Sequence, residues 1–323
     1  MNKRFWGLAL VTLVGAIAFS CMAPPSPSPA EKVQVMVSIA PQKYFVERIG
    51  DGYVNVDVMV PPGAEPHTFE PRPEQLKALS RSDLYLRIRI EFEDAWMDKL
   101  RAANPRMLVV DTTEGIQRLP LPDEFRQAGH AGEAENLDPH IWLSPRLVKT
   151  QAQTIYRALV QVDAEHQAAY QANLSRFLAD LDALDAEIRQ KLQGVQSRQF
   201  IVFHPGWGYF ARDYGLTMVP IEVGGQEPSA AELARLVTRA KQDQIKVIFA
   251  EPQFSQQTAT TLSREIGGKV LLIDPLSPDW MNNLRQVADT FAAVLGQKPE
   301  VPTRFQPPPA FIAEFLYAPL SWL

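Results

Sequence analysis

The sequence predicts an α/β protein built from two halves, each with parallel strands that alternate with helices. Between residues 33 and 111, short β-branched or apolar runs alternate with segments of helical spacing, and this alternation resumes from residue 199 to 295. Such alternation indicates βαβ units and a parallel sheet in each half. The intervening residues 163–193 contain no glycine or proline. We therefore expect one long helix between the two halves.

The first half offers four predicted strands and three predicted helices. Pro61-Pro62-Gly63 end the second predicted strand, and a loop containing His67 follows. Residues 115–138 show little periodicity and contain several prolines and glycines, which predicts a loop. The predicted strands cover residues 33–39, 54–60, 83–88 and 107–111, and the predicted helices cover residues 41–49, 73–80 and 92–103.

Two helix starts are marked before the centre of the chain. Ser144-Pro145 reads as an N-cap followed by a first-turn proline, which predicts a helix to about residue 162. A second start signal stands at Asp163, with Glu165 in the first turn. About 30 residues at 1.5 Å rise give a rod of roughly 45 Å. Its narrow apolar stripe is typical of a spine between two lobes.

The second half repeats the pattern without repeating a sequence motif. Its predicted strands cover residues 199–203, 216–221, 246–250 and 270–273, and its predicted helices cover residues 207–214, 229–241, 255–266 and 280–295. We therefore divide the body of the chain into a first lobe at 33–162, a linking helix at 163–194 and a second lobe at 195–296. The pattern predicts no role for the proline-rich and then apolar tail at 297–323.

Residues 1–20 form a predicted signal peptide, which places the protein outside the cytoplasm. Lys3 and Arg4 precede an apolar run at 5–20, which is shorter than the roughly 20 residues of a membrane span. Cys21 is the only cysteine, so no intrachain disulfide can form. The sequence Ala18-Phe19-Ser20-Cys21 loosely resembles a bacterial lipobox, which predicts acylation of Cys21 and anchoring to a membrane. The alternative is cleavage nearby by an ordinary signal peptidase, leaving a free soluble protein.

Residues 21–32 are rich in proline and serine, as expected of a tether without a core of its own.

The composition of the whole chain limits the kinds of partner that it can bind. The chain is 46% hydrophobic and 21% charged, which is ordinary for a globular protein. A net charge of −5 and the lack of any basic run argue against nucleic acid as a partner.

Three histidines and one aspartate follow predicted strands. His67 and His140 lie in connections after strands of the first half, and His204 and Asp274 directly follow strands of the second. Because ligands bind beyond the carboxyl ends of strands in open parallel sheets, these side chains are candidate metal ligands. Three imidazoles and a carboxylate suit tetrahedral zinc, whereas manganese or iron would favour more oxygen ligands. The alternative for a single histidine, such as His140 between two prolines, is a packed loop residue.

Other side chains have weaker claims to a metal site. Glu222 and Glu251 also end strands, so either can orient a ligand histidine by hydrogen bonding or have a purely structural role. His130 lies in the predicted loop and His166 in the first turn of the long helix, where both are expected to be solvated. Four aromatic residues are expected to form core and cleft wall: Trp142, Phe203, Trp207 and Tyr209.

Four motifs resemble the metal-binding solute-binding proteins of bacterial ABC transporters, in particular their zinc-uptake branch. They are PPGAEPHTFEP at 61–71, DPHIWLSP at 138–145, FHPGWGYF at 203–210 and IDPL at 273–276. The resemblance spans about residues 33–296. It implies two (β/α)4 lobes joined by one long rigid helix, with the metal in the cleft between them. It further implies a monomeric, non-enzymatic carrier that captures Zn²⁺ and delivers it to an ABC transporter permease.

The chain departs from this family at two places, and three other functions stay open. Zinc members often carry a loop rich in histidine and acids before the second ligand, whereas here that loop has only His130 with acids such as Glu133 and Glu135. Pro205 and Gly206 stand where the family commonly has Asp-Ala. The alternatives are a manganese or iron carrier, a surface adhesin of the same fold, and a secreted zinc hydrolase with water as fourth ligand. The hydrolase is disfavoured because Asp274 is expected to fill that position and no His-Glu-x-x-His helix occurs.

Overall fold

The computed structural model describes residues 32–121, 137–223 and 226–296, and within them the chain forms two sheets of four parallel strands. The first sheet contains β1 (Val33–Val37), β2 (Val54–Val58), β3 (Leu84–Arg87) and β4 (Leu108–Asp111). The second contains β5 (Gln199–Val202), β6 (Thr217–Pro220), β7 (Val247–Ala250) and β8 (Lys269–Leu272). The strand orders are β2-β1-β3-β4 and β6-β5-β7-β8, so the two halves share one topology. The predicted α/β class is confirmed.

Helices connect and cover these strands. The first half contains α1 (Ala40–Gly50), α2 (Pro73–Leu79), α3 (Glu91–Ala103) and α4 (Pro145–Val162), and α5 (Gln167–Leu192) follows. The second half contains α6 (Gly208–Tyr214), α7 (Ala230–Gln242), α8 (Gln257–Glu265) and α9 (Trp280–Leu295). Single 3-10 turns precede α4, α5 and α6, at Ile141–Leu143, Ala164–His166 and Pro205–Trp207.

Side-chain caps explain where two of these helices begin. The Ser144 hydroxyl accepts the backbone N–H of Leu147, and the Ser229 hydroxyl accepts that of Glu232. The Glu232 carboxylate in turn accepts the backbone N–H of Ser229, which completes a capping box. These bonds satisfy donors that the first helical turn leaves free. Both starts agree with the sequence prediction.

The long helix α5 packs against both halves of the chain. It contacts α1 and α4 on one side and α6 and α9 on the other. Its α-helical part begins at Gln167, because residues Ala164–His166 first form a tighter 3-10 turn. Its buried stripe includes Leu174, Phe177, Leu181, Leu184 and Ile188. The predicted long helix is confirmed, whereas the division of the chain at residues 162 and 194 stays a prediction.

Apolar packing also joins the two halves directly. Trp280 of α9 meets Phe45 of α1 edge to face, with ring centroids 4.9 Å apart, and both side chains are buried. Such an aromatic contact adds about 0.5–1.5 kcal/mol to the energy of area burial. One hydrophobic core therefore extends from β1 through α5 to α9.

Across the described segments, no helix is both long and apolar enough to cross a membrane. The predicted signal peptide at 1–20, the tether at 21–32 and the tail at 297–323 lie outside the described residues, except that Lys32 is included. Cys21 and His130 are likewise outside them.

Candidate metal site

Three histidine side chains converge at one point between the two sheets. The Nε2 atom of His140 lies 3.2 Å from Nε2 of His67 and 3.1 Å from Nε2 of His204. A tetrahedral zinc ion with Zn–N bonds of about 2.0–2.1 Å has ligand nitrogens roughly 3.3–3.4 Å apart. The spacing of the imidazole nitrogens is therefore close to that of a zinc site.

The carboxyl ends of the strands position these side chains. His67 lies in the loop after β2, and His204 lies two residues after the end of β5. His140 comes at the end of the long connection after β4, immediately before a 3-10 turn. His140 is 3% exposed and His204 is 9% exposed, so the cluster is largely removed from water. The structure thus brings together the three histidines that the strand-end rule selected.

A carboxylate faces the second ring nitrogen of each histidine. The Nδ1 atom lies 2.5 Å from Glu91 in His67, 2.8 Å from Asp138 in His140 and 2.6 Å from Glu222 in His204. A carboxylate that accepts the Nδ1 proton fixes the ring orientation and leaves Nε2 free to bind a cation. This arrangement is typical of metal-ligating histidines.

The structure gives different positions to the two acidic residues selected from strand ends. Glu222 contacts the His204 ring, as the sequence analysis proposed for an orienting carboxylate. Glu251 instead accepts the backbone N–H of His204 at 3.3 Å and is fully buried. It therefore holds the main chain at the histidine, whereas Glu222 holds its side chain.

Three further acidic residues of the site were missed by sequence reasoning. Asp138 had a visible signal, because it stands two residues before His140 in an Asp-Pro-His motif. Glu91 opens α3 and had no signal in spacing or strand position. The third residue, Glu65, accepts the backbone N–H groups of His67 and Thr68 at 2.7 and 2.8 Å.

Glu65 also adds negative charge at the mouth of the cluster. Its Oε1 atom lies 4.0 Å from Nε2 of His67. By accepting two backbone N–H groups, it holds the loop that carries His67 in a tight turn. His67 therefore has a carboxylate on each side of its ring: Glu91 at Nδ1 and Glu65 near Nε2.

Burial and neighbouring charges shift the pKa values of the clustered side chains in opposite directions. Burial by itself lowers the pKa of His67, but attraction to Glu91 and their hydrogen bond outweigh burial and raise this pKa to about 9. Burial raises the pKa of Glu91, yet the charge of His67 outweighs that effect and lowers it to about 2. Burial and the neighbouring imidazoles hold the pKa of His204 well below its ordinary value. A cation at Nε2 of His67 must therefore displace a proton at neutral pH.

Two carboxylates behind His204 are shifted upward. Burial raises the pKa of Glu222 to about 7, although attraction to His67 opposes this rise. Burial likewise raises the pKa of Glu251 well above its ordinary value. A divalent cation nearby would favour the charged form of both groups. The electrostatics of the cluster are therefore suited to a cation.

Asp274 lies outside the group of described residues whose candidate ligand atoms fall within 4.8 Å of one another. Its Oδ1 atom accepts the side-chain amide of Gln253 at 2.8 Å and the backbone N–H of Leu276 at 2.9 Å. The next residue, Pro275, accepts the indole N–H of Trp142 at 2.8 Å, which ties this loop to the turn after His140. The role of Asp274 as fourth ligand stays a prediction.

Two glycines allow close packing beside His140. A Cβ atom on Gly206 would lie 3.1 Å from the His140 ring, and one on Gly208 would lie 3.0 Å from the Asp138 carboxylate. The hydroxyl of Tyr209 donates to the backbone carbonyl of Asp138 at 2.7 Å. The beginning of α6 therefore presses against the Asp138–His140 segment and restrains it.

His166 has a different environment from the three clustered histidines. Its Nδ1 atom lies 2.7 Å from Asp163, and its ring stacks on Tyr53 with centroids 4.0 Å apart. These contacts join the start of α5 to the turn that follows α1. His166 therefore belongs to the packing of the first half and is not a candidate ligand.

The chain was compared with protein families and with individual proteins. The family model described as "ZnuA: Zinc-uptake complex component A periplasmic" matches residues 35–294. A relative from Bacillus subtilis (strain 168), named "High-affinity zinc uptake system protein ZnuA", is 31% identical over 287 residues. That alignment covers 85% of this chain and 90% of the relative.

Solved structures agree with the sequence comparison. "Crystal structure of ZnuA" superimposes with a TM-score of 0.78 and 46% identity, covering 82% of this chain and 100% of that chain. "Crystal structure of 138-173 ZnuA deletion mutant plus zinc bound" gives a TM-score of 0.77 and 46% identity, covering 83% of this chain and 100% of that chain. Both the fold and the sequence are therefore similar to proteins of one family.

Proposed function

Because the chain belongs to the ZnuA family of periplasmic zinc-uptake components, we propose that it captures Zn²⁺ outside the cytoplasm and delivers it to an ABC-type membrane transporter. The observation that carries this function is the convergence of three Nε2 atoms at 3.1 and 3.2 Å. Each ring also has a carboxylate on Nδ1, which prepares its Nε2 atom to bind a cation. His67, His140 and His204 are the ligands in this proposal.

The donor set favours zinc over the alternative metals. Imidazole nitrogens suit zinc, whereas manganese and iron carriers are expected to supply more carboxylate oxygens. The carboxylates on His67, His140 and His204 face Nδ1, on the opposite side of each ring from the point of convergence. The manganese or iron carrier therefore remains the second choice.

Zinc should stabilise the folded protein measurably. At free zinc a thousandfold above Kd, binding adds about 4.1 kcal/mol to the free energy of unfolding. For a chain of this size, that raises Tm by roughly 6–7 °C. The measurement is calorimetric melting of metal-free protein with zinc, manganese or magnesium, together with metal analysis of protein purified without chelator or affinity-tag metal. A larger shift with manganese than with zinc would favour the alternative carrier.

We infer that this chain is a carrier and has no catalytic turnover. A zinc hydrolase keeps one coordination position open for water and places a general base beside it. In the carrier, Asp274 would close that position. Its loop is tied through Pro275 to Trp142, next to the His140 turn, which supports a position near the metal.

Replacing Asp274 with alanine separates carrier from enzyme. We expect zinc affinity to fall about tenfold, roughly 1.4 kcal/mol, because an anionic oxygen close to the cation is lost. Competition with a chelating dye measures the affinity, and ester and peptide substrates test for hydrolysis. Asp289→Ala is the control, since Asp289 is exposed and pairs with Lys191.

The outcomes of this experiment distinguish three assignments. Unchanged affinity in Asp274→Ala would remove Asp274 from the ligand list. Unchanged affinity in Asp274→Ala with a loss in Glu65→Gln, which keeps an oxygen to accept the N–H groups of His67 and Thr68, would instead favour Glu65 at the fourth position; its Oε1 atom lies 4.0 Å from Nε2 of His67. Zinc-dependent hydrolysis by the unmodified protein would overturn the carrier itself.

The family is periplasmic, and delivery requires a membrane permease as partner. We further propose that the carrier is a monomer and that acylated Cys21 anchors it to the membrane through the proline-rich tether. Support comes from the apolar run that ends immediately before Cys21. Mass spectrometry of the mature protein from the membrane fraction should find a diacylglyceryl group on Cys21. A mature N-terminus downstream of Cys21 would contradict the anchor.

A further inference from the structure

A cleft of about 460 Å³ lies at the open edge of the first sheet. Its walls come from β4, from the end of β3 and from the middle and last turns of α4. Four arginines line it: Arg87, Arg89, Arg101 and Arg157. The residues that line this cleft include none of the histidines or their carboxylate partners, so the cleft is separate from the candidate metal site.

More positive than negative side chains line this cleft. Two carboxylates, Asp111 and Glu114, line the cleft together with the four guanidinium groups. Asp94 pairs with both Arg87 and Arg89, so about one positive charge remains in excess. Arg89 pairs with Asp111 through its Nε atom at 2.5 Å. Arg101 and Arg157 have no carboxylate within ion-pair distance in the part of the chain that the structure describes.

The two guanidinium groups without a carboxylate partner come from different helices. Arg157 donates to the hydroxyl of Thr154 at 2.8 Å, one turn earlier on α4. Arg101 lies in the last turn of α3, so the end of this helix also lines the cleft. Guanidinium donors from two helices therefore line the cleft.

Arg87 forms the buried part of the cleft wall. It is 8% exposed, it pairs with Asp94, and its Nε atom lies 3.6 Å from Glu93. That Nε atom is buried and has no hydrogen-bond partner among the described residues. Because that atom is shielded from solvent, Arg87 adds positive charge behind the cleft and makes no contact with a ligand through Nε. Arg87 lines the same cleft as the two arginines without carboxylate partners.

We propose that this cleft binds a phosphate group. Guanidinium presents a planar fork of donors that matches two oxygens of phosphate and binds it more strongly than a neutral donor does. Arg101 and Arg157 supply the main contacts from the two helices, and Arg87 contributes the buried wall. The phosphate group is either free inorganic phosphate or the phosphodiester of an anionic phospholipid headgroup, since both offer the same oxygens.

The test removes the two guanidinium groups and leaves the rest of the chain unchanged. Zinc-free protein is titrated calorimetrically with inorganic phosphate and, separately, with glycerophosphoglycerol, the headgroup of phosphatidylglycerol without its acyl chains. The variants are the double substitution Arg101→Gln/Arg157→Gln and the control Arg264→Gln, which removes an exposed arginine of α8. Zinc affinity is also measured for all variants. An unchanged value would show that the fold and the histidine cluster are intact.

We expect the double variant to lose at least tenfold in affinity for one of the two ligands, while Arg264→Gln behaves like the unmodified protein. A loss for inorganic phosphate alone identifies free phosphate, and a loss for the phosphodiester alone identifies a lipid headgroup. The affinity of Arg157→Lys should fall between the affinities of the double variant and the unmodified protein, because lysine keeps the charge and loses the planar fork of donors. Equal affinity of the double variant and the unmodified protein for both ligands, or no binding by either, would overturn the proposal.

Discussion

Replacing His140 with alanine should lower zinc affinity by on the order of a thousandfold, equivalent to about 4.1 kcal/mol. His140 is the central residue of the cluster, because its Nε2 atom lies within 3.2 Å of the Nε2 atoms of both other histidines. Its loss removes one of three nitrogen ligands and leaves His67 and His204 without the ring that lies between them. Zinc competition against chelators of graded affinity measures the change.

The control for this prediction is another histidine of the same chain. His166→Ala removes an imidazole that pairs with Asp163 and stacks on Tyr53, outside the cluster. Its zinc affinity should equal that of the unmodified protein. Circular dichroism should show that both variants are folded. If His140→Ala bound zinc as tightly as His166→Ala does, the three-histidine site would be wrong.

The second large effect concerns Asp138, whose carboxylate faces Nδ1 of His140 and not the Nε2 atom proposed to bind zinc. Its Oδ1 atom lies 2.8 Å from Nδ1 of His140 and accepts the backbone N–H of the same residue at 2.9 Å. We expect Asp138→Asn to lower zinc affinity about 10–100-fold, the usual effect of losing a carboxylate behind a ligand histidine. Asparagine keeps the size of the side chain, so the contact with Gly208 is preserved.

Two further variants are compared with Asp138→Asn. Glu91→Gln should cost less affinity than Asp138→Asn, because the Glu91 side chain is 47% exposed and that of Asp138 is 6% exposed. Asp289→Asn, at a remote surface position, should cost nothing. The dye competition used for the other variants measures all three. Equal affinities for Asp138→Asn and Asp289→Asn would show that the Asp138 carboxylate only shapes the loop.

Local sequence determined most of the elements, because their signals act within a few residues. Ser144 capped a helix where it was expected, and the helix predicted at 229–241 begins after the Ser229 cap, since each hydroxyl reaches an N–H only three residues away. The strand at 33–39 was predicted from a β-branched run and observed as Val33–Val37. The start of the long helix was the exception, because residues Ala164–His166 form a 3-10 turn in which Asp163 binds the ring of His166.

The candidate ligands were predictable for a different reason. In a parallel sheet all carboxyl ends lie at one edge, so His67 and His204 could be placed from strand order alone. His140 was harder, because a long connection separates it from β4, yet its Asp-Pro-His motif marked it. Asp274 follows β8 as expected, but Gln253 and Leu276 bind its carboxylate.

The sequence by itself therefore determined the α/β class, the long helix and the three histidines, since periodicity, caps and strand ends are local or topological properties. Only the tertiary structure decided which carboxylates face the rings of His67 and His204: Glu91 lies 24 residues from His67, and Glu222 lies 18 residues from His204. It also decided the indole bonds from Trp142 to Pro275 and from Trp280 to Trp142, which join the two halves beside the site. Such pairs depend on how the two halves pack, and no spacing along the chain encodes that packing directly.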